Sequence, residues 1–259
     1  MSLDLPVALV TGASSGIGRA LASRLSQEGY AVGLVARREA PLLGLQEEIE
    51  AAGGVALPLV CDVSDRAAVL RAAAECACRL GSVELLVANA GVSEMTEVGT
   101  LDSREVAAII GTNLMGAVHA VEAVLPGMLE RDSGHLVAIG SLAGFGGLPK
   151  SAAYSASKAA LNNFFESFRL DLRHTGVDVT VIKPGYVRTP STDRNRHKMS
   201  GLMELDDAAN RMMGAIRRRV PEYRFPLPLG TLAWIAQIFP RRVYDRIASK
   251  RKRDKAPRP

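Results

Sequence analysis

Six short runs rich in Val, Leu and Ala, spaced along the first two-thirds of the chain, limit what it can become: residues 7–10, 30–36, 55–60, 83–88, 136–141 and 177–183. Between them, residues 18–28, 39–52, 65–80, about 102–131 and about 153–174 carry helical periodicity, with Gly29 and the Gly53-Gly54 pair as stops. The fourth of these stretches has break points at Gly111, Gly116 and Pro126. A strand that is apolar on both sides has to be covered on both faces, which is the condition of a parallel sheet clothed by helices. The expected fold is therefore α/β, a single doubly wound parallel sheet of about seven strands filling residues 1–240, with ligands at the carboxyl ends of the strands. A chain of 259 residues, 47% hydrophobic, supplies one sizeable core for it. A further helix is expected over 205–219, after which Pro221, Pro226, Pro228 and Pro240 punctuate an apolar stretch.

Directly after the first run comes Thr11-Gly12-Ala13-Ser14-Ser15-Gly16-Ile17-Gly18. Glycines permit a tight turn and a close approach of backbone to a pyrophosphate, and the helix that follows offers free amides and a favourable dipole. The spacing Gly-x-x-x-Gly-x-Gly differs from Gly-x-Gly-x-x-Gly, and its place between first strand and first helix marks it as a dinucleotide loop. An acidic residue after the second strand takes the ribose hydroxyls of NAD, whereas an Arg there accommodates a 2′-phosphate. Here Arg37-Arg38 follows Ala36 with no carboxylate before it, so NADP(H) is expected over NAD(H), with Ser14 as a further phosphate contact. Asp62-Val63, after the third run, either meets the adenine or caps the next helix. Asn89-Ala90-Gly91, after the fourth, combines small residues that let a ligand approach with an amide able to tie strand ends together.

Tyr154 and Lys158 stand four apart at the start of a helix and share a face. A phenol titrates near 10, and a neighbouring cation favours the phenolate, so the pair reads as a tuned general acid/base.

Taken in order, Thr11-Gly12-x-x-x-Gly16-x-Gly18, Asp62, Asn89-Ala90-Gly91, Asn113, Ser141, Tyr154-x-x-x-Lys158 and Pro184-Gly185 resemble the short-chain dehydrogenase/reductase family over roughly residues 5–190. The resemblance implies a Rossmann-type NAD(P)-dependent oxidoreductase, a homodimer or homotetramer. It implies that Tyr154 exchanges the proton of the carbonyl oxygen and that Lys158 lowers the Tyr154 pKa and holds the nicotinamide ribose. It further implies that Ser141 fixes the substrate oxygen and that Asn113 holds a water in a proton relay. In the family the turn at Pro184-Gly185 leads to contacts with the nicotinamide carboxamide, and here the resemblance puts Val187 and Thr189 in that place. Two departures stand out: Ala88 replaces the first of two Asn often found before Ala-Gly, and the Asp-Gly-Gly ending of acyl-carrier-protein reductases is missing.

Residues 190–220 follow the sixth strand and are expected to form a lid over the site. Asp193, Arg194, Arg196, His197 and Lys198 lead into Met199, Leu202 and Met203, which suits an apolar carbonyl or alcohol. Phe145 to Leu148 would extend the pocket wall. Residues 241–259 carry six Arg and three Lys against two Asp, so the chain's net charge of +5 describes this tail and gives no argument for nucleic acid binding by the body, and no nucleic acid partner is expected. Leu232, Ile235, Ala236 and Phe239 fit one helical face ahead of it. That face either packs on its own domain or a second subunit, or contacts an anionic membrane surface. Residues 1–6 lack a basic leader, and no apolar run of transmembrane length is free of breakers. Cys61, Cys76 and Cys78 have no framework or metal-ligand spacing, so a reducing, cytoplasmic setting and no metal are expected. Three function classes follow: a reductase, favoured by the complete Asn113, Ser141, Tyr154 and Lys158 set; a catalytically weak cofactor sensor; and a membrane-peripheral protein resting on the tail.

Overall fold

The computed structural model describes residues 5–194, 199, 201–227, 230, 231, 235, 242 and 245. Seven parallel strands, β1 (Val7–Thr11), β2 (Ala31–Ala36), β3 (Val55–Val60), β4 (Val83–Ala88), β5 (Gly134–Ile139), β6 (Val177–Pro184) and β7 (Glu222–Phe225), form one sheet in the order β3-β2-β1-β4-β5-β6-β7. The chain winds outward from β1 to β3, returns, and winds outward again from β4. The reversal between β1 and β4 opens a crevice at their carboxyl ends.

Alternate residues of each strand feed two cores. Val7 and Leu9 join the face covered by α3 (Arg66–Leu80), α5 (Gly116–Glu130) and α6 (Ala152–Asp171). Ala8 and Val10 join the face covered by α1 (Gly16–Gln27), α2 (Glu39–Ala51) and α7 (Leu205–Arg217). The expected strands all form, within one or two residues at their ends. The seventh escaped sequence reading because it is a four-residue polar edge strand, Glu-Tyr-Arg-Phe, between Pro221 and Pro226, where only Phe225 is buried.

The long fourth helix is interrupted as Gly111 suggested. After α4 (Ser103–Ile110), the stretch Gly111–Met115 is a π-turn, and α5 resumes at Gly116. Pro126 sits inside α5 without ending it. Ser103–Glu130 is long and apolar enough to cross a membrane, at a mean hydropathy of 1.5. It is a core element here: Ala117, Ala120, Val121, Val124 and Met128 are buried against the sheet and α3. Cys76 is buried beneath Gly33 while Cys78 is exposed, as side chains two apart on a helix must be.

The expected lid needs correcting. Residues 205–217 are α7, whose Ala208, Ala209, Met212, Met213, Ala215 and Ile216 are buried against the sheet and α1. That part of 190–220 belongs to the scaffold. Within the rest, Arg196, His197 and Lys198 lie outside the described residues, as do Leu232, Ala236, Phe239 and most of the basic tail.

Candidate active site

The two ends of the crevice are built differently. At the β1 end, close packing shapes a cradle. Gly12 and Gly16 have φ of 71° and 55°, in the region that favours glycine. A Cβ on Gly12 would lie 2.8 Å from Asn89 Nδ2, and one on Gly18 would press into the Gly12 carbonyl oxygen at a distance no real Cβ shows. The glycines therefore let the loop fold onto Asn89 and leave room above it. Asn89 does tie the strand ends together: its Nδ2 donates to Thr11 O at 2.9 Å. Thr11 Oγ1 accepts from the amides of Asn89 and Ala90, each at 3.0 Å. Ser15, extended, precedes α1 without a side-chain cap, and the first turn of α1 carries no acid, so its amides face the crevice with no competing anion. Ile17 packs inward on the α1–α2–α7 core.

Beside this loop, Arg38 Nη2 donates to Ser14 Oγ at 3.1 Å, which brings two of the expected phosphate contacts together. Arg37 takes a different direction, toward Asp62 Oδ2 at 3.7 Å. Asp62 does not cap α3. Asp65 does, accepting from Ala68 N at 3.1 Å, while Asp62 Oδ1 turns back on Ser64 N and Oγ at 2.9 and 2.7 Å. Burial alone would raise the Asp62 pKa, but the Ser64 hydrogen bonds and then the Arg37 charge outweigh it and hold the carboxyl ionised. Val63 is buried against Gly116, with its carbonyl 3.0 Å from His119 Nδ1.

At the β4–β5–β6 end, the candidate proton-handling residues meet. Ser141 lies two residues past β5, at the head of a 3-10 turn, and its Oγ accepts from Ala143 N at 3.0 Å. The Ser141 side chain stands close enough to the Tyr154 phenol to favour its ionised form. Tyr154 and Lys158 come from the first two turns of α6. Lys158 is buried at 4% exposure, its Nζ donating to Ile139 O at 2.7 Å. Burial lowers its pKa from 10.5 to about 8. Gly91 lets the chain pass over this ammonium: a Cβ there would sit 3.6 Å from Lys158 Nζ and 3.3 Å from Asn113 Oδ1.

The expected tuning of the phenol is not what the protein alone produces. The Tyr154 pKa is raised, by burial first; Ser141 pulls it down and Tyr186 pushes it further up. Desolvation acts on both members of the pair and discourages both charges, so Lys158 does not dominate its neighbour.

Asn113 occupies the centre of the π-turn and is fully buried. Its Oδ1 accepts from Val92 N at 2.7 Å, and its Nδ2 donates to Val92 O and Ser157 Oγ, both at 2.9 Å. The side chain thus ties the segment after β4 to α6. Pro184 ends β6, and Gly185 N donates to Phe225 O at 2.8 Å. Val187 is buried and bridges to Met203, while Thr189 packs over Gly16, closing the crevice from the β6 side. Thr192 Oγ1 holds that turn, donating to Val187 O at 2.8 Å.

Sequence reading missed Lys183. It is 2% exposed, with Nζ 2.6 Å from Glu166 Oε1, 2.9 Å from Glu222 Oε2 and 5.0 Å above the Phe145 ring. Its partners lie 17 and 39 residues away, on α6 and β7, so no local spacing announces them. Asn162 was also missed. Among the described residues, no group of three or more His, Cys, Asp or Glu is placed to hold a metal.

Comparison with known proteins agrees with this layout. The model of the short chain dehydrogenase family matches residues 6–200. A Myxococcus xanthus protein known only as an uncharacterised oxidoreductase is 44% identical over 243 residues, 94% of this chain and 96% of its own. A short-chain dehydrogenase/reductase of Burkholderia phymatum, solved with NAD, superimposes with a TM-score of 0.83 over 99% of both chains at 26% identity. A variant of actinorhodin polyketide ketoreductase, solved with NADPH, does so at 0.79 and 30% identity, over 89% of this chain and 99% of its own.

Proposed function

Because the chain belongs to the short-chain dehydrogenase family, we propose that it is an NADP(H)-dependent reductase of an apolar ketone, working through Ser141, Tyr154 and Lys158. The observation that carries this reading is the meeting of Ser141, Tyr154 and a buried Lys158 at the carboxyl ends of the strands, across the crevice from the glycine loop. The cradle of Gly12, Gly16 and Gly18, the anion-ready start of α1 and the Ser14–Arg38 pair fit a dinucleotide phosphate. Nicotinamide, when bound, supplies the hydride that no protein side chain can supply.

The protein's own part is to manage charge on the substrate oxygen. As the carbonyl carbon is reduced, negative charge grows on that oxygen, and Ser141, already committed as an acceptor to Ala143 N, donates its proton toward it. Tyr154 transfers its phenolic proton to the oxygen. Its raised pKa keeps the phenol protonated near neutrality, which suits an acid in the direction of reduction. Lys158 at about 8 remains mostly charged near neutrality and stands ready for ribose hydroxyls and for returning a proton toward Tyr154. Asn113 braces α6 beneath them. The ketoreductase similarity recommends a β-ketoacyl thioester as one member of the carbonyl panel.

The test follows NADPH oxidation over ketones, aldehydes and that thioester. Tyr154→Phe should lose on the order of 10²–10⁴ in rate; equal turnover by the variant sinks the mechanism. For the cofactor, the geometry shifts the burden from Arg37 to Arg38. NADPH should bind more tightly than NADH, and Arg38→Ala should erase on the order of 10- to 100-fold of that preference, the worth of a charge-assisted bond. Tighter NADH binding by the wild type contradicts the cofactor assignment.

A further inference from the structure

We propose that Asn162 is a positioning residue for Ser141, a role that rests on Ser141 being the hydroxyl that meets the substrate oxygen. Asn162 lies on α6 in line with Tyr154 and Lys158, at four-residue intervals along one helix face. It is 5% exposed, and its neighbours Leu161 and Phe165 are buried in the core. Its Oδ1 has no hydrogen-bond partner among the described residues. A buried, unpaired amide oxygen is destabilising, so stability alone favours an apolar residue there.

What the amide does is grip the turn that carries Ser141. Its Nδ2 faces Ser141 O at 3.4 Å. The turn is also shaped to admit it. A Cβ on Gly140 would run into Asn162 Oδ1, and one on Gly144 would stand 2.5 Å from Asn162 Nδ2 and 2.8 Å from Lys158 O. Neither glycine adopts a positive φ, so backbone conformation does not demand them; the room they vacate is filled by Asn162 and the α6 backbone. On the far side, Gly140 N is fastened to Ile182 O at 2.7 Å. Ser141 is thus set between a strand that anchors the residue before it and an amide that bears on its own carbonyl. Ala143 N on its Oγ further holds the hydroxyl in place beside Tyr154.

The experiment is a double-mutant cycle in the full chain, using NADPH and the best-reduced carbonyl of the panel. Wild type, Asn162→Leu, Ser141→Ala and the double variant are compared for kcat, KM, NADPH Kd and thermal midpoint, with Asn162→Ala as a second variant should Leu not be accommodated. Asn162→Leu should lower kcat on the order of 10- to 100-fold, the scale of a small misplacement of a reacting group. NADPH Kd should stay within about twofold, and the double variant should be no slower than Ser141→Ala by more than about twofold. Effects that multiply in the double variant, or a wild-type kcat in either Asn162 variant, overturn the proposal. So does failure of both to fold, because the side chain then serves the fold itself. Wild-type kcat in Ser141→Ala refutes the parent reading instead.

Discussion

Removing the positive charge of Lys158 should leave the cofactor-free protein at least as stable while abolishing its activity. The ammonium is buried and its pKa falls from 10.5 to about 8. At 1.36 kcal/mol per unit, keeping it charged in the folded state costs on the order of 3 kcal/mol near neutral pH. Lys158→Met removes that cost but strands the Ile139 carbonyl, now bonded at 2.7 Å, at a penalty of roughly 1–3 kcal/mol. The net expectation at about pH 7 is a variant more stable by zero to about 2 kcal/mol. The sign of the pH dependence is fixed by the direction of the shift. Between about pH 8 and 10.5 the unfolded chain holds the lysine proton and the folded one has lost it, so wild-type stability rises with pH. By about pH 9.5 the wild type should recover roughly 2 kcal/mol relative to Lys158→Met. Denaturant unfolding of both proteins, without cofactor, at about pH 7 and about pH 9.5 isolates the term, because groups common to the two cancel in the difference. A Met variant clearly less stable at neutral pH, or a gap independent of pH, would show that the ammonium is not held at a cost. Carbonyl reduction by the variant should meanwhile be lost.

Two further outcomes follow from other parts of the fold. His135, buried with Nε2 2.8 Å from Thr180 Oγ1, has its pKa lowered from 6.5 to about 4, by burial first and then by Arg219. The unfolded chain therefore takes up a proton that the folded one refuses, and stability should decline by about 3 kcal/mol as pH falls from about 6.5 to about 4. In His135→Gln, unfolding measured over the same range should show that much less acid sensitivity; an unchanged slope would contradict the assignment. Gly18→Ala should lower the thermal midpoint, at a cost on the order of 1–3 kcal/mol, and weaken NADPH binding, because its Cβ meets the Gly12 carbonyl and Asn89. A variant with unaltered melting and cofactor affinity would show that the loop is not packed as described.

The β1–β6 framework was legible because its information is local. A run such as Val7-Ala8-Leu9-Val10, followed by a glycine turn, carries its burial pattern in its own residues. The Tyr154–Lys158 pair was legible for the same reason, since four-residue spacing places both on one face of α6 wherever the helix packs. What escaped depends on partners distant in the chain. Glu222–Phe225 is a strand only because β6 offers it an edge. Asp62 stood open on paper between an adenine contact and a helix cap, until the start of α3 took Asp65 as its cap. The residues after Val220 offered no period that would set the end of the sheet.

By itself, then, the sequence determined the parallel α/β scaffold, the glycine loop after β1 and the shared helix face of Tyr154 and Lys158, because period, glycine placement and side-chain chemistry act over a few neighbours. Only the tertiary structure decided their charge and direction. It sent Arg38 rather than Arg37 to Ser14, withdrew α7 from the lid, raised Tyr154 and lowered Lys158 together, and set Asn162 beneath Ser141. Desolvation and steric fit are properties of the atoms that surround a group, and those atoms are assembled only when the sheet and α6 close around it.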